Sequence, residues 1–131
     1  MVPISDSLSS SLANLHAQIE AAERALHKMP GAFKVEKAFV EVGKEIGLEN
    51  AFLEVMLDSD SRTRLCVREF HNGPGDESST ERLLSEFPVS KRVALAKRIP
   101  ELIDLANEAE ADVVKDVDEV AAIIERALAD L

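Results

Sequence analysis

Leu8, Leu12, Leu15, Ile19, Ala22, Leu26 and Met29 recur at alternating steps of four and three, the spacing that lines up one apolar seam along a single helix. Ser5 or Asp6 can cap its start, and Pro30-Gly31 stops it. A seam of about three heptads has to be buried against something, so it constrains the rest of the chain more than any other feature. A second seam closes the sequence: Val113, Val117, Val120, Ile124, Ala127 or Leu128, and Leu131. Around it stand Asp112, Asp116, Asp118, Glu119, Glu125 and Asp130 against only Lys115 and Arg126, which gives the terminal helix an acidic face. The two seams can pair within one chain or between two, and a homodimer built this way is expected.

Between the ends, Val35, Ala38, Phe39, Val42 and Ile46 form a helical stripe that Gly47 can close with a left-handed cap, and "LENAFLEVML" opens another. Thr63, Cys66, Val67 and Phe70 continue a 3.6-residue period after "DSDS", whose acids and hydroxyls suit a helix start. A strand over 63–67 would find no evident partner elsewhere. Asn72-Gly73-Pro74-Gly75 then stops one helix, Ser78 and Glu81 fit a capping box for the next, and Ser90 can cap "KRVALAKR". Pro100 either kinks that helix or begins the next. The expected fold is a single all-α domain over residues 1–131, a bundle of roughly six to eight helices.

Charge narrows the function. Lys and Arg total 15 against 25 Asp and Glu, a formal charge of -10. Nucleic-acid affinity rests on cations that neutralise phosphates, so such a partner is disfavoured. Cys66 is the single cysteine and forms no internal disulfide. The N-terminal "MVPISDSLSSSL" lacks the basic start and apolar stretch of a secretory signal, and no run approaches a membrane span. A reduced cytoplasm is the expected compartment.

Motifs for chemistry are sparse. Helical di-metal sites place a Glu three residues before a His, but Ala13, Arg24 and Arg68 precede His16, His27 and His71 at that distance. Neither a metal nor a cofactor is expected. "DSDSR" begins like a calcium loop but carries Arg62 at its fifth position and lacks the required Gly and Glu. "FVEVGKEIGLENAFLEVML" has apolar and turn residues near helix-turn-helix positions, yet its recognition helix would offer Glu49, Asn50, Glu54 and Asp58 to DNA and no Lys or Arg. A local basic run, Lys91, Arg92, Lys97 and Arg98, can meet an acidic partner or balance this chain's own acidic helix.

One pair has catalytic character. In "RLCVREFH", Arg64 and His71 stand seven apart, two turns along one face of a helix. The stretch resembles the Arg-to-His motif of HEPN-type ribonucleases, although Leu65 follows the Arg where those motifs carry a polar residue. That resemblance implies an all-α domain and a metal-independent attack on RNA by Arg64 and His71. The stronger expectation is a non-enzymatic module that binds another protein, an immunity-type or antitoxin-type inhibitor masking a basic surface among the forms it could take. Asp112, Asp116 and Glu119, with Lys91, Arg92, Lys97 and Arg98, are the expected partner-binding residues.

Overall fold

The computed structural model describes residues 4–29, 38–73 and 76–131. Helix α1 (Ile4–His27) is followed by strand β1 (Phe39–Glu41), a single turn α2 (Gly43–Ile46), and strands β2 (Ala51–Leu57), β3 (Thr63–Gly73) and β4 (Asp76–Leu83). A 3₁₀ turn at Leu84–Glu86, helix α3 (Val89–Ala96) and the 31-residue helix α4 (Ile99–Ala129) complete the order. The four strands form one antiparallel sheet in the order β1-β2-β3-β4. The fold is therefore α+β, and the expected all-α bundle is wrong through the whole middle of the chain.

The strand pairing shows why. The stretch over 63–67 does have partners, one on each side: Leu53 faces Val67 and Val55 faces Leu65 from β2, while Arg82 faces Val67 from β4. In the pleated conformation Val40, Leu53, Val55, Leu65 and Val67 point to one face and are almost fully buried. Their alternation outweighs the helix-forming Leu, Glu and Met of "AFLEVML", because strand preference is decided by what the two faces pack against. The expected capping box is also overturned. Ser78 pairs with His71, and Glu81 pairs with Arg68 and forms an ion pair with it. Instead of stopping a helix, as expected for "NGPG", Asn72 and Gly73 end β3, with Gly73 facing Asp76 of β4; residues 74 and 75 lie outside the described ones.

"DSDS" likewise turns a hairpin instead of starting a helix. The Asp58 carboxylate accepts the backbone N–H of Asp60 at 2.9 Å and of Arg62 at 3.0 Å, and Ser61 takes a left-handed conformation with φ of 60°. Gly47 does cap α2 as a left-handed residue, φ 69°. The helical stripe expected to lead into it is a strand from Phe39, and its first residues, 35–37, lie outside the described ones. Pro100 stands in the first turn of α4, where its missing N–H costs nothing.

Both long helices cover the same face of the sheet. Ile19 and Leu26 of α1, Leu95 of α3, and Ile99, Leu102 and Ala106 of α4 join Val40, Leu53, Leu65 and Val67 in one core. The opposite face carries Phe39, Phe52 and Phe70 in successive edge-to-face contacts with ring centroids 5.5 and 5.8 Å apart. Beside them Arg68 bridges Glu54 and Glu81.

The joint between α1 and β3 is polar and specific. β4 pairs with β3 only from Cys66 onward, so the backbone N–H of Leu65 has no strand to meet on that side. The buried Glu23 carboxylate takes it at 2.7 Å and also accepts Arg64 Nε at 3.3 Å. One turn further, His27 Nδ1 lies 2.7 Å from the Thr63 hydroxyl. The end of α1 thus stands in for the strand that β4 no longer supplies.

Candidate functional site

Helix α4 is two objects in one. Its inner turns are core, with Ile99, Leu102, Ala106 and Ala109 buried. From Ala111 onward every residue except the half-buried Val113 is exposed. At about 1.5 Å per residue, the exposed helix from Ala111 to Ala129 runs roughly 28 Å beyond the buried part. Val114, Val117, Val120, Ile123, Ile124 and Leu128 are all 53–63% exposed there. This is a contiguous apolar stripe with no cover among the described residues.

Its charges are sorted. At about 100° per residue, Val113, Val114, Val117, Val120, Ala121, Ile124, Ala127 and Leu128 fall within a sector of about 140°, with Ile123 about 40° outside it. Asp112, Asp116 and Asp130 gather along one edge of that sector, next to Ile123, with Glu119 further round toward the back, and Asp118 and Glu125 line the other. Lys115 and Arg126 fall on the back, away from the stripe. Of the three acids expected from the sequence to meet a partner, Asp112 and Asp116 share one edge and Glu119 lies beside it toward the back. Asp118 and Glu125 stand on the other edge, and the helical projection separates the two sides.

The basic run does not form one patch. Arg98 is held by Glu45 and Glu101 and donates to the Glu41 carbonyl at 3.1 Å. The carboxylates around it, Glu101 first and then Glu45, raise its pKa. Arg92 donates to the carbonyls of Ser85 and Phe87 at 3.2 and 2.9 Å. Both side chains fasten the turn before α3 and the start of α4 to the body. Lys91 and Lys97 are exposed. Arg98, the one member of the run that forms ion pairs among the described residues, pairs at the base of α4 and not with its acidic outer half.

Arg64 and His71 both lie on β3. Seven residues is an odd step in a strand, so they face opposite sides of the sheet, about 23 Å apart along it. His71 Nε2 meets the exposed Thr80 hydroxyl at 2.7 Å, while Arg64 contacts Glu23, Ser85 and Asp58. The structure does not bring them to one reacting atom. The helix-turn-helix segment is β1, α2 and β2, with no recognition helix.

A cleft of about 870 Å³ does open beside Arg64, between the last turns of α1 and the β2–β3 hairpin. His16, Glu20, Glu23, Arg24, His27 and Arg62 are among its lining. Its histidines stand eleven residues apart on α1, about 16 Å by helix rise, too far to act as acid and base on one group. Its Arg64 is neutralised by Glu23 at 3.3 Å, with Asp58 at 3.9 Å. Among the described residues no cluster of His, Cys, Asp and Glu is arranged to hold a metal ion, and no helix is long and apolar enough to cross a membrane. No protein-family model matches the chain, and comparison with curated proteins and with solved structures gives no match either.

Proposed function

We propose that the protein is a non-enzymatic binding module that engages another protein through the outer half of α4. The observation that carries this reading is the uncovered stripe from Val114 to Leu128 on a helix that has left its own core. Completing the burial of a half-exposed Val, Ile or Leu is worth about 1 kcal/mol, so the six exposed aliphatics represent roughly 6 kcal/mol of gross driving force for association. The same residues make the bare helix weak. Val113, Val114, Val117, Val120, Ile123 and Ile124 are β-branched, each costing about 0.5 kcal/mol against alanine in helix propensity. A helix so composed is stabilised by being covered. An inhibitor that masks a partner's surface is one form this function takes.

A photo-crosslinking amino acid placed at Val120 in cells that express the protein tests the reading. A discrete crosslinked species is expected, abolished when Ile124→Asp is introduced in the same chain. A crosslinker at the exposed Glu49, on the loop before β2, is expected to give none. Absence of any discrete product at Val120 would refute it.

A further inference from the structure

We infer that the occupant of the α4 stripe is a basic amphipathic helix of another protein, apolar along one side with Lys or Arg flanking that side on both edges. The inference rests on the reading of α4 as a docking element and adds the partner's chemistry. A helix laid along Val113–Leu128 brings its flanking side chains over the two edges of the stripe. Both edges are acidic: Asp112, Asp116 and Asp130 on one side, Asp118 and Glu125 on the other. The two cations of this segment, Lys115 and Arg126, stand on the back, opposite the centre of the stripe. An incoming helix with basic flanks meets carboxylates on both sides at once, which fixes its register and speeds its encounter.

The same placement speaks against the other occupants. A second α4 from another copy would set acids against acids along the contact, with Lys115 and Arg126 turned away. An anionic lipid surface draws helices whose polar flanks are basic, and it repels these. Nothing in the apolar stripe alone separates the three; the sorted charges do.

The test uses the full chain and a labelled 20-residue amphipathic peptide with a Leu/Ile seam and Lys at its flanking positions, compared with the same peptide carrying Glu there. Fluorescence anisotropy is expected to give saturable binding of the Lys peptide, at least tenfold tighter than the Glu peptide. The quadruple change Asp116→Lys, Asp118→Lys, Glu125→Lys and Asp130→Lys should invert the preference. Reversing four exposed acids elsewhere, Glu49→Lys, Asp60→Lys, Glu86→Lys and Asp104→Lys, should leave the ratio within about twofold, a control for net charge. Equal binding of both peptides overturns the basic partner while the docking role of α4 stands. So does a homodimer, seen by sedimentation, that Ile124→Asp dissociates. A monomer that binds neither peptide, with Ile124→Asp changing nothing, overturns both.

Discussion

Glu23 can be tested by two substitutions that differ in a single property. Its Oε2 accepts the Leu65 N–H at 2.7 Å and Arg64 Nε at 3.3 Å, and the residue is 8% exposed. Glu23→Ala removes the acceptor and leaves a buried backbone N–H unpaired at the edge of β3, which costs about 1–3 kcal/mol, and it also frees Arg64 from its carboxylate on α1. A total of roughly 2–4 kcal/mol is expected. Glu23→Gln keeps a carbonyl oxygen where the carboxylate was, so the Leu65 N–H stays paired and only the charge on two hydrogen bonds is removed. That change is worth about 1 kcal/mol, since bonds to a charged acceptor exceed neutral ones by about this much. Urea unfolding of the three proteins measures both differences, provided the m-value is unchanged. The decisive number is the gap between the Ala and Gln variants. A gap below about 0.5 kcal/mol would mean that Glu23 is not serving the strand edge, and the account of α1 as the substitute for β4 would be wrong.

Leu102→Ala, at a fully buried position, should destabilise by about 2–5 kcal/mol, whereas Ile124→Ala should change the stability of the isolated chain by less than about 0.5 kcal/mol. Equal effects in thermal unfolding would show that the outer half of α4 is core after all. A Cβ on Gly43 would collide with the Leu48 carbonyl oxygen, a backbone atom, so Gly43→Ala should cost about 1–3 kcal/mol and loosen α2 in amide exchange. The carboxyl of Asp58 is held below its ordinary value, first by the Arg62 N–H, against the opposing effect of burial, and then by the Asp60 N–H and the Arg64 charge. Its contribution to stability is therefore present above the ordinary carboxylate range and disappears as pH falls through the lowered value. Carboxyl ¹³C titration should show this depressed midpoint, and Asp58→Asn should flatten that part of the acid limb.

The ends of the chain were legible and the middle was not, for a physical reason visible in particular residues. Leu12, Leu15, Ile19 and Leu26 do line one side of α1, running from Ile4 to His27 close to the limits set by Ser5 and Pro30. A helix buries one stripe, so its pattern is written in one segment. A sheet is written in pairs. β4, "DESSTERL", has a single apolar residue, and only the register that sets Arg82 beside Val67 and Glu81 beside Arg68 makes a strand of it. β2 is hidden for the opposite reason. Ala51, Leu53 and Val55 are buried on one face while Glu54 is buried on the other beside Arg68, so the apolar alternation that marks a half-buried strand is blurred. The pair Arg64 and His71 shows the consequence: a spacing of seven aligns two side chains on a helix and opposes them on a strand, so one error in period reversed their relation.

For the candidate site the limits lie elsewhere. The apolar seam and the acidity of α4 can be read from residues 113–131, but whether a seam is spent inside the fold depends on where the helix leaves the core. Ala109 is the last buried residue of α4, and Val113 is only partly covered. The sequence repeats the same apolar spacing on both sides of that point, from Ile99 through Ala106 and on to Val120. The inner turns stabilise the molecule because the sheet and α1 are beside them. The outer turns hold equivalent side chains with nothing beside them, and the acids along both edges limit what can approach. The outer half continues the core helix without a break, so it is anchored at its inner end and incurs a smaller ordering cost on being covered than a flexible tail would. On the proposed reading, that is the physical advantage of building a docking element as the continuation of a core helix: equivalent residues serve folding at one end of α4 and would serve recognition at the other.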